Sequence, residues 1–403
     1  MNILLAPYWY LPHVGGVSGY VDLLREEFEA RGHLVDVLAH HPDMTKIYMP
    51  TTGRYIDKPR VKDYTCDNVL RFFRSQMPLV DDWVRWREIE RYTYELCAAA
   101  FNIDRYDVIH TQDIVSTRAL ARVRPRHATQ VATIHGALAT EHLVSGQVTS
   151  KASISYAYAV AEEFFGATSA HRTMVPCAWL RDLMTDEFGV PAGTVDVVPY
   201  GMDARAFLAR VRRVHPPVSA PPGVPVILCP ARLVPVKGHR YLFEAIAKLR
   251  GRDRFVVWLA GGGRLEEECR RQVVALGLEN IVVFLGNRDD VPGLMNRADI
   301  IVLHSVQDTL PLVVMEAQSV GRPIVAARVG GIPETIDDGR TGFLVEPADP
   351  DDLASRLHWL MTDSGLRRKV GRQAAAAARS TWSPTLMADR VLGVYGEALA
   401  APH

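Results

Sequence analysis

Two cations follow a short apolar run in the second half of the chain, where they could hold an anionic ligand. Arg232 and Lys237 flank a loop that begins directly after the run Val226–Cys229. Arginine suits bidentate contact with phosphate oxygens, and lysine adds a compact positive charge. The pair therefore predicts a phosphate-binding loop, and two solvated surface charges are the alternative.

Two carboxylates lie around the start of a predicted helix after the run Ile300–Leu303. Pro311 suits the first turn of that helix, where a backbone N–H is not needed. Glu316 then lies within the helix, and its carboxylate could accept both hydroxyls of a ribose; an exposed helical glutamate is the alternative. Asp308 precedes the helix and is predicted either to approach a bound sugar or to cap the helix.

Glycines at two strand-to-helix junctions could bring the backbone close to a ligand. Gly15 and Gly16 follow the first strand, and Gly262 is the centre of a glycine triplet after a later strand. A dinucleotide fingerprint is disfavoured at the first junction, because the spacing is not G-x-G-x-x-G and Asp36 falls inside a predicted strand. A plain turn at the first junction and a weak phosphate cradle at the second stay open.

A histidine is the remaining candidate in the first half of the chain. His135 ends an apolar run and is followed by Gly136, at the edge where open α/β sheets bind ligands. An imidazole there could donate to a sugar hydroxyl or move a proton near neutral pH. A structural histidine is an equally good interpretation of one isolated residue.

The elements that carry these residues alternate between short apolar, β-branched runs and amphipathic helical stretches. Continuous apolar runs are typical of strands that helices cover on both faces. The alternation predicts α/β units with parallel, doubly wound sheets. The predicted strands are Ile3–Ala6, Leu34–Ala39, Val108–His110, Val131–His135, Thr173–Cys177, Val195–Val198, Val226–Cys229, Phe255–Ala260, Ile281–Leu285, Ile300–Leu303, Pro323–Ala327 and Phe343–Val345.

A proline-rich segment at 214–223 divides the chain into two such units. Proline disrupts regular structure, and 403 residues exceed one ordinary domain. We therefore predict an N-terminal domain at 1–213, a linker at 214–223 and a C-terminal domain at 224–383. The tail at 384–403 is predicted to be a helix that could cross back to the first domain.

Composition argues against several classes of protein. Lys+Arg and Asp+Glu both total 46, which disfavours nucleic-acid binding through a strong basic field. The five cysteines never form C-x-x-C, so we expect a reducing cytosol and neither a disulfide framework nor a zinc site. No signal peptide is apparent, and no apolar run approaches the roughly 20 residues that span a bilayer. We expect a cytoplasmic protein, at most peripheral to the inner face of a membrane.

The segment 44–91 does not follow the alternation of strands and helices. Its part at 54–87 mixes arginine and lysine with aromatic residues. One interpretation is a long excursion that covers the first domain. The other is a surface that binds the acceptor or contacts an anionic membrane.

In combination, these motifs resemble glycosyltransferase family 4, and the resemblance covers essentially the whole chain. It implies the GT-B fold, with two Rossmann-like doubly wound domains facing a central cleft. In that fold the domain at 1–213 would bind the acceptor, and the domain at 224–383 would bind the nucleotide-sugar. It also implies retaining transfer of a hexose-type sugar from a nucleotide-diphosphate donor, with UDP as the expected nucleotide. The motifs are Gly15-Gly16, Arg232…Lys237-Gly238, Asp308-x7-Glu316-Ala317, Gly321-x-Pro323 and Gly330-Gly331-x-x-Glu334.

By position, the resemblance implies that Glu316 binds the ribose of the nucleotide. Arg232 and Lys237 would neutralise the departing diphosphate, and His135 would contact the donor sugar or the acceptor. The family usually has glutamate where this chain has Asp308, near the donor sugar. The other implied donor contacts are Gly15, Gly16, Gly262, Asn287, Arg288, Leu310 and Leu312.

No D-x-D metal motif follows a strand at the expected place, so we expect neither a metal ion nor a cofactor in the reaction. Three alternatives stay open. A sugar-nucleotide epimerase should carry more acid/base residues, and a glycan phosphorylase would use inorganic phosphate or a pyridoxal cofactor. The third is a non-catalytic protein that binds nucleotide-sugars. The sequence indicates neither the acceptor nor the oligomeric state.

Overall fold

The computed structural model of the chain describes residues 1–12, 15–213, 218 and 220–401. The chain divides into two compact units. The first unit is Met1–Gly201 together with the C-terminal segment that begins at Pro384, and the second is Met202–Ser383. Each unit is built on a parallel sheet that is packed between helices.

The first half of the chain supplies most elements of the first unit. Its strands are β1 (Asn2–Ala6), β2 (Leu34–Val37), β3 (Ala39–His40), β4 (Lys46–Met49), β5 (Arg54–Asp57), β6 (Val108–Thr111), β7 (Thr129–Thr133), β8 (Arg172–Val175) and β9 (Val195–Val197). Its helices are α1 (Gly16–Ala30), α2 (Lys58–Gln76), α3 (Asp82–Ala99), α4 (Ile114–Val123), α5 (Leu138–Val144), α6 (Ile154–Thr168) and α7 (Ala178–Asp186).

The second half supplies the second unit and one further helix. The strands are β10 (Val226–Cys229), β11 (Val256–Ala260), β12 (Val282–Gly286), β13 (Ile300–Leu303), β14 (Ile324–Ala327) and β15 (Phe343–Val345). The helices are α8 (Ala204–Arg213), α9 (His239–Leu249), α10 (Glu266–Ala275), α11 (Val291–Arg297), α12 (Leu312–Ser319), α13 (Pro350–Thr362), α14 (Ser364–Thr381) and α15 (Pro384–Ala400).

The two main sheets are parallel and doubly wound. The strand order is β2-β1-β6-β7-β8-β9 in the first unit and β12-β11-β10-β13-β14-β15 in the second. Open sheets of this kind bind ligands beyond the carboxyl ends of the strands, where the winding reverses direction. That switch point lies between β1 and β6 in the first sheet and between β10 and β13 in the second.

Strand residues of the second sheet pack into two hydrophobic layers, one on each face. Ile227 and Cys229 belong to one layer, and Val226 and Leu228 belong to the other. The register places Ile227 opposite Val257 of β11. Because both faces are covered, every position of these strands is apolar, which is why the strands could be predicted from continuous apolar runs.

These observations confirm the predicted fold class and the predicted strands, with small shifts at strand ends and one exception. The predicted strand Leu34–Ala39 is divided at Leu38 between β2 and β3, which belong to different sheets. The segment 44–91, which did not fit the alternation, forms regular structure of another kind. It contributes β4 and β5 to an antiparallel sheet in the order β3-β4-β5, followed by the helical hairpin α2–α3. Helix α3 packs on α4, in agreement with an excursion that covers the first unit.

The boundary between the units lies earlier in the chain than the predicted position at 213. Helix α8 belongs to the second unit, because it packs against α11 and α12. Its residues Phe207 and Val211 are buried in a hydrophobic layer of that unit. Half of the predicted linker at 214–223, namely residues 214–217 and 219, lies outside the described residues.

Helix α15 belongs to the first unit and packs against α1 and β7. Its residues Met387, Val391 and Tyr395 are buried in the hydrophobic layer beside β1. Across the described ranges, none of the helices combines the length and the apolar character that a bilayer crossing requires.

Candidate active site

The switch point of the second sheet brings together two of the predicted site residues. Lys237 lies in the loop after β10, and Asp308 lies in the loop after β13. The Lys237 Nζ is 2.5 Å from Asp308 Oδ2, and both side chains are mostly buried. Ser305, which is fully buried, donates a hydrogen bond of 3.0 Å from its Oγ to the same carboxylate oxygen.

The alternative interpretation of Asp308 as a helix cap is wrong. Helix α12 begins at Leu312, and its N-cap residue is Pro311, whose side chain makes no capping hydrogen bond. The Asp308 carboxylate instead accepts from Lys237 and Ser305. Charge and hydrogen bonding thus fix its position at the switch point.

Arg232 lies in the same loop region but is exposed. Within the part of the chain that the structure describes, its guanidinium has neither an ion pair nor a hydrogen bond. A guanidinium without a competing carboxylate is available for two hydrogen bonds to an anionic group. Arg232 and Lys237 therefore differ, since the lysine already holds an anion of the protein.

The glycine triplet packs closely against the backbone of the loop that carries Arg232. A Cβ atom on Gly261 would lie 2.2 Å from the carbonyl oxygen of Ala231, and one on Gly263 would lie 2.3 Å from that of Leu233. Gly261 also has a φ of +153°, which favours glycine. The triplet is thus required by the packing of two loops, which the sequence did not indicate.

The predicted donor contacts near the end of β12 have partners within the protein. The Gly262 N–H donates a hydrogen bond of 2.8 Å to Asn287 Oδ1, so the structure brings these two candidates together. The Arg288 guanidinium pairs with both carboxylate oxygens of Asp290. Any contact of the Arg288 guanidinium with the donor would have to compete with that ion pair.

Glu316 lies in α12 as predicted, among apolar neighbours. Burial raises the pKa of its carboxyl to about 7, and the positive charge of Arg210 partly opposes this effect. Arg210 was missed by the sequence analysis, because α8 was assigned to the wrong domain. Of the remaining candidates, Leu310 is buried and Leu312 is partly buried beside the start of α12.

The candidates of the first unit lie along the carboxyl edge of its sheet. Gly15 is the N-cap of α1, in an extended conformation with a φ of 172°, and Gly16 is the first residue of that helix. Both are exposed, so the free N–H groups of the helix start are accessible. His13 and Val14, which precede them in the predicted loop, fall outside the described residues.

His135 follows β7, and both of its ring nitrogens have partners. Nδ1 lies 2.7 Å from Tyr200 Oη, and Nε2 lies 3.2 Å from Gln112 Oε1. Burial lowers the pKa of the imidazole to about 3. Burial thus favours the neutral imidazole, and both of its nitrogens already have partners. Contact of His135 with the donor sugar or the acceptor, by hydrogen bonding or by proton transfer, stays a prediction.

Comparison with known proteins agrees with this arrangement. The family model described as Glycosyltransferase Family 4 matches residues 14–206, and the model described as Glycosyl transferases group 1 matches residues 224–363. The chain belongs to glycosyltransferase family 4. An uncharacterized glycosyltransferase from Methanocaldococcus jannaschii is 25% identical to it over 403 residues, covering 98% of each chain.

Solved structures share the fold of this glycosyltransferase over nearly its whole length. Sucrose-phosphate synthase from Thermosynechococcus elongatus superposes with a TM-score of 0.77 at 20% identity, covering 100% of both chains. The Anabaena protein HepE in complex with UDP-glucose has a TM-score of 0.70 at 18% identity, covering 98% of this chain and 100% of that one. The predicted family, the GT-B fold and glycosyltransferase activity are confirmed.

Proposed function

We propose that this glycosyltransferase moves a hexose-type sugar from a UDP-sugar to an acceptor hydroxyl, with retention at the anomeric carbon. The observation that carries the proposal is the meeting of Lys237 and Asp308 at the switch point of the second sheet, beside the unpaired Arg232. Cations at this place suit a diphosphate, and a carboxylate suits sugar hydroxyls. The similarity to HepE, solved with UDP-glucose, supports the choice of donor.

In the proposed reaction, the bond between the anomeric carbon and the β-phosphate oxygen breaks and a bond to the acceptor oxygen forms on the same face. The acceptor proton goes to the departing diphosphate. Arg232 and Lys237 stabilise the charge that develops on that diphosphate, and Glu316 holds the ribose. The expected rate acceleration comes from positioning and from this charge stabilisation.

We propose that the reaction needs no metal ion at the diphosphate, because two side-chain cations can fill that role. Activity should persist when EDTA is added to the assay. Loss of activity that Mg²⁺ or Mn²⁺ restores would contradict metal-free transfer.

The decisive experiment measures the turnover of UDP-hexoses and GDP-hexoses with a panel of acceptors, and identifies the products by mass spectrometry and NMR. A glycosylated acceptor with the donor's anomeric configuration is the expected result. Interconversion of the nucleotide-sugar without an acceptor would instead identify an epimerase. Phosphorolysis of a glycan would identify a phosphorylase, and binding of UDP-sugar without turnover would identify a non-catalytic protein.

A second proposal concerns the segment 54–87, which we propose contacts an anionic membrane on the cytoplasmic side. Helix α2 exposes Tyr64 and Phe72, with relative exposures of 66% and 54%, next to the exposed Arg71 and Arg74. A largely apolar groove of about 890 Å³ lies between α2, α3 and α6. Interfacial aromatics combined with basic residues favour anionic lipid surfaces.

Co-sedimentation with vesicles tests this second proposal. At low salt, we expect binding to vesicles that contain phosphatidylglycerol and weaker binding to phosphatidylcholine alone. Replacing Arg71 and Arg74 together by glutamate should abolish sedimentation, whereas Arg254→Glu in the second unit should not. If the unchanged protein stays in the supernatant with anionic vesicles, the surface serves another purpose.

A further inference from the structure

Three potential metal ligands converge inside the second unit, next to the loops that carry Lys237 and Asp308. Cys229 is the last residue of β10, His239 is the first residue of α9, and His304 directly follows β13. All three side chains are buried, with relative exposures of 0%, 3% and 3%. Cys229 and His239 are ten residues apart at the two ends of one loop, and His304 joins them because β10 and β13 are neighbours in the sheet.

The separations of the donor atoms are close to those of a metal site. The Cys229 Sγ lies 3.9 Å from His239 Nε2, and the rings of His239 and His304 are 5.1 Å apart between centroids. One ligand atom from each residue lies within 4.8 Å of the others. A tetrahedral zinc site with its usual bond lengths needs ligand atoms about 3.3–3.6 Å apart, so small side-chain movements would complete it.

The hydrogen bonding of these residues is incomplete. Among the atoms that the structure describes, neither ring nitrogen of His304 has a hydrogen-bond partner, and His239 Nδ1 has none either. Buried polar groups are nearly always paired with protein, water or an ion. The unpaired imidazole of His304 therefore points to a ligand held in this cluster.

We propose that Cys229, His239 and His304 bind one Zn²⁺ ion. A thiolate and two imidazoles are ligands of intermediate softness, which zinc prefers over Mg²⁺ and Ca²⁺. Binding displaces the thiol proton to solvent, because the thiolate is the form that coordinates the metal. The fourth position is left for a water molecule.

The ion would link the end of β10, the start of α9 and the end of β13. These are the elements from which the loops with Lys237 and Asp308 extend, so the ion would fix their relative positions. It would lie in the interior and would take no part in the transfer itself. The sequence expectation of no zinc site rested on cysteine spacing, which cannot show a site that takes one cysteine, a histidine from the next element and a histidine from a distant strand end.

Metal analysis of the full-length, untagged protein tests the proposal. After purification without chelator and addition of ZnSO₄ followed by gel filtration, inductively coupled plasma mass spectrometry should find about one zinc per chain. Cys229→Ser and His304→Gln should each lose it. Cys269→Ser, another buried cysteine of the same unit, is the control and should retain it.

Cobalt replacement provides a readout that needs no variant. Unchanged protein loaded with Co²⁺ should show the intense near-ultraviolet absorption of a cobalt–thiolate bond, and Zn²⁺ should abolish it. Zinc should also raise the melting temperature of the unchanged protein and not that of Cys229→Ser. Failure to take up zinc or cobalt, or equal uptake by all variants, would overturn the proposal.

Discussion

The carboxylate of Asp308 lies next to the ammonium group of Lys237. The loss of its negative charge should therefore determine the effect of replacing Asp308. Asp308→Asn turns a charged hydrogen-bond acceptor into a weaker neutral one. We therefore expect the activation barrier to rise by about 1.5–3 kcal/mol, so that turnover falls roughly 10- to 100-fold. UDP affinity should change little, because ribose binding rests on Glu316. Steady-state kinetics and calorimetric titration with UDP measure the two effects separately.

Ser305→Ala is the matched control for this change, because it removes one hydrogen bond to Asp308 and leaves the charge in place. We expect its turnover to fall less than that of Asp308→Asn. Unchanged turnover per folded molecule in Asp308→Asn, together with a strongly lowered melting temperature, would mean that the carboxylate is only structural.

Replacing Arg232 and replacing Lys237 should have similar effects on activity but different effects on stability. Either replacement by alanine removes one contact to the leaving diphosphate, which commonly costs about 3–4 kcal/mol in the barrier. Arg232→Ala should leave the melting temperature unchanged, since the guanidinium is exposed and unpaired within the described chain. Lys237→Ala should lower it, because it leaves the buried Asp308 without its cation.

Arg254→Ala, at another exposed arginine of the second unit, is the control for the loss of one positive charge and should have normal kinetics. Near-normal turnover in both Arg232→Ala and Lys237→Ala would show that these two residues do not stabilise the leaving diphosphate.

Glu316 makes ligand binding and stability depend on pH. Its folded-state pKa of about 7 lies above the ordinary value of 4.5, so the folded protein favours the protonated carboxyl. The stability contributed by this group is complete below pH 4.5 and is lost as the pH rises through 7. UDP affinity should follow the opposite trend and fall below pH 7, because the ribose hydroxyls need an ionised acceptor.

Glu316→Gln tests both parts of this expectation. The variant should melt at a higher temperature than the unchanged protein at pH 8 and at a similar temperature near pH 4.5. Its UDP affinity should be low and nearly independent of pH. A UDP affinity of the unchanged protein that does not vary between pH 5.5 and 8 would exclude a titrating carboxylate from the ribose site.

At the scale of elements, the position of the Arg232 loop depends on Gly261 and Gly263, which pack against its backbone. A methyl group on Gly263 would collide with the carbonyl of Leu233, a backbone atom that cannot move alone. We expect Gly263→Ala to shift the loop, weaken UDP binding and lower the melting temperature. Gly193→Ala, where the added methyl group meets nothing within 4 Å, should change neither; normal UDP affinity in Gly263→Ala would show that the loop tolerates displacement.

The elements that could be predicted are those buried on both faces. The strands of the main sheets are recognisable because helices cover both faces of each sheet, which favours apolar residues at successive positions of a strand. Helix α3 could not be recognised by hydrophobic periodicity, because its buried face is charged. Arg87 pairs with Glu162 of α6, and Arg91 pairs with Glu88 and Glu95.

The candidate site could be predicted only in part, for a related reason. The residue types after β10 and β13 indicated a diphosphate and a sugar, since strand ends in such sheets converge. The contact between Lys237 and Asp308 joins residues 71 positions apart, and no local pattern reports it. The effect of Arg210 on Glu316 could not be predicted from the sequence either, because it depends on the packing of α8 against α12.

For the whole molecule, α15 is the element whose removal should make the two units unfold at different temperatures. A chain that stops at Ser383 loses the apolar residues by which α15 closes the hydrophobic layer beside β1. It also loses the hydrogen bond of 2.7 Å between Tyr395 Oη and the buried His110 Nδ1. We expect the first unit to unfold at a much lower temperature, while the second unit keeps its own transition.

Differential scanning calorimetry of the shortened and unchanged chains measures this effect, and Glu397→Ala on the exposed side of α15 is the control. A shortened chain in which both units melt as in the unchanged protein would show that the first unit is complete without the helix.

The division of the first unit into two stretches of sequence also bears on biosynthesis. During translation the ribosome releases residues 1–201 early, but the helix that completes their core emerges only after all of Met202–Ser383. The second unit is continuous and can acquire its final structure while the first still exposes the apolar surface that α15 will cover. We therefore expect the nascent first unit, rather than the second, to be the part that chaperones bind and the last to become resistant to proteases.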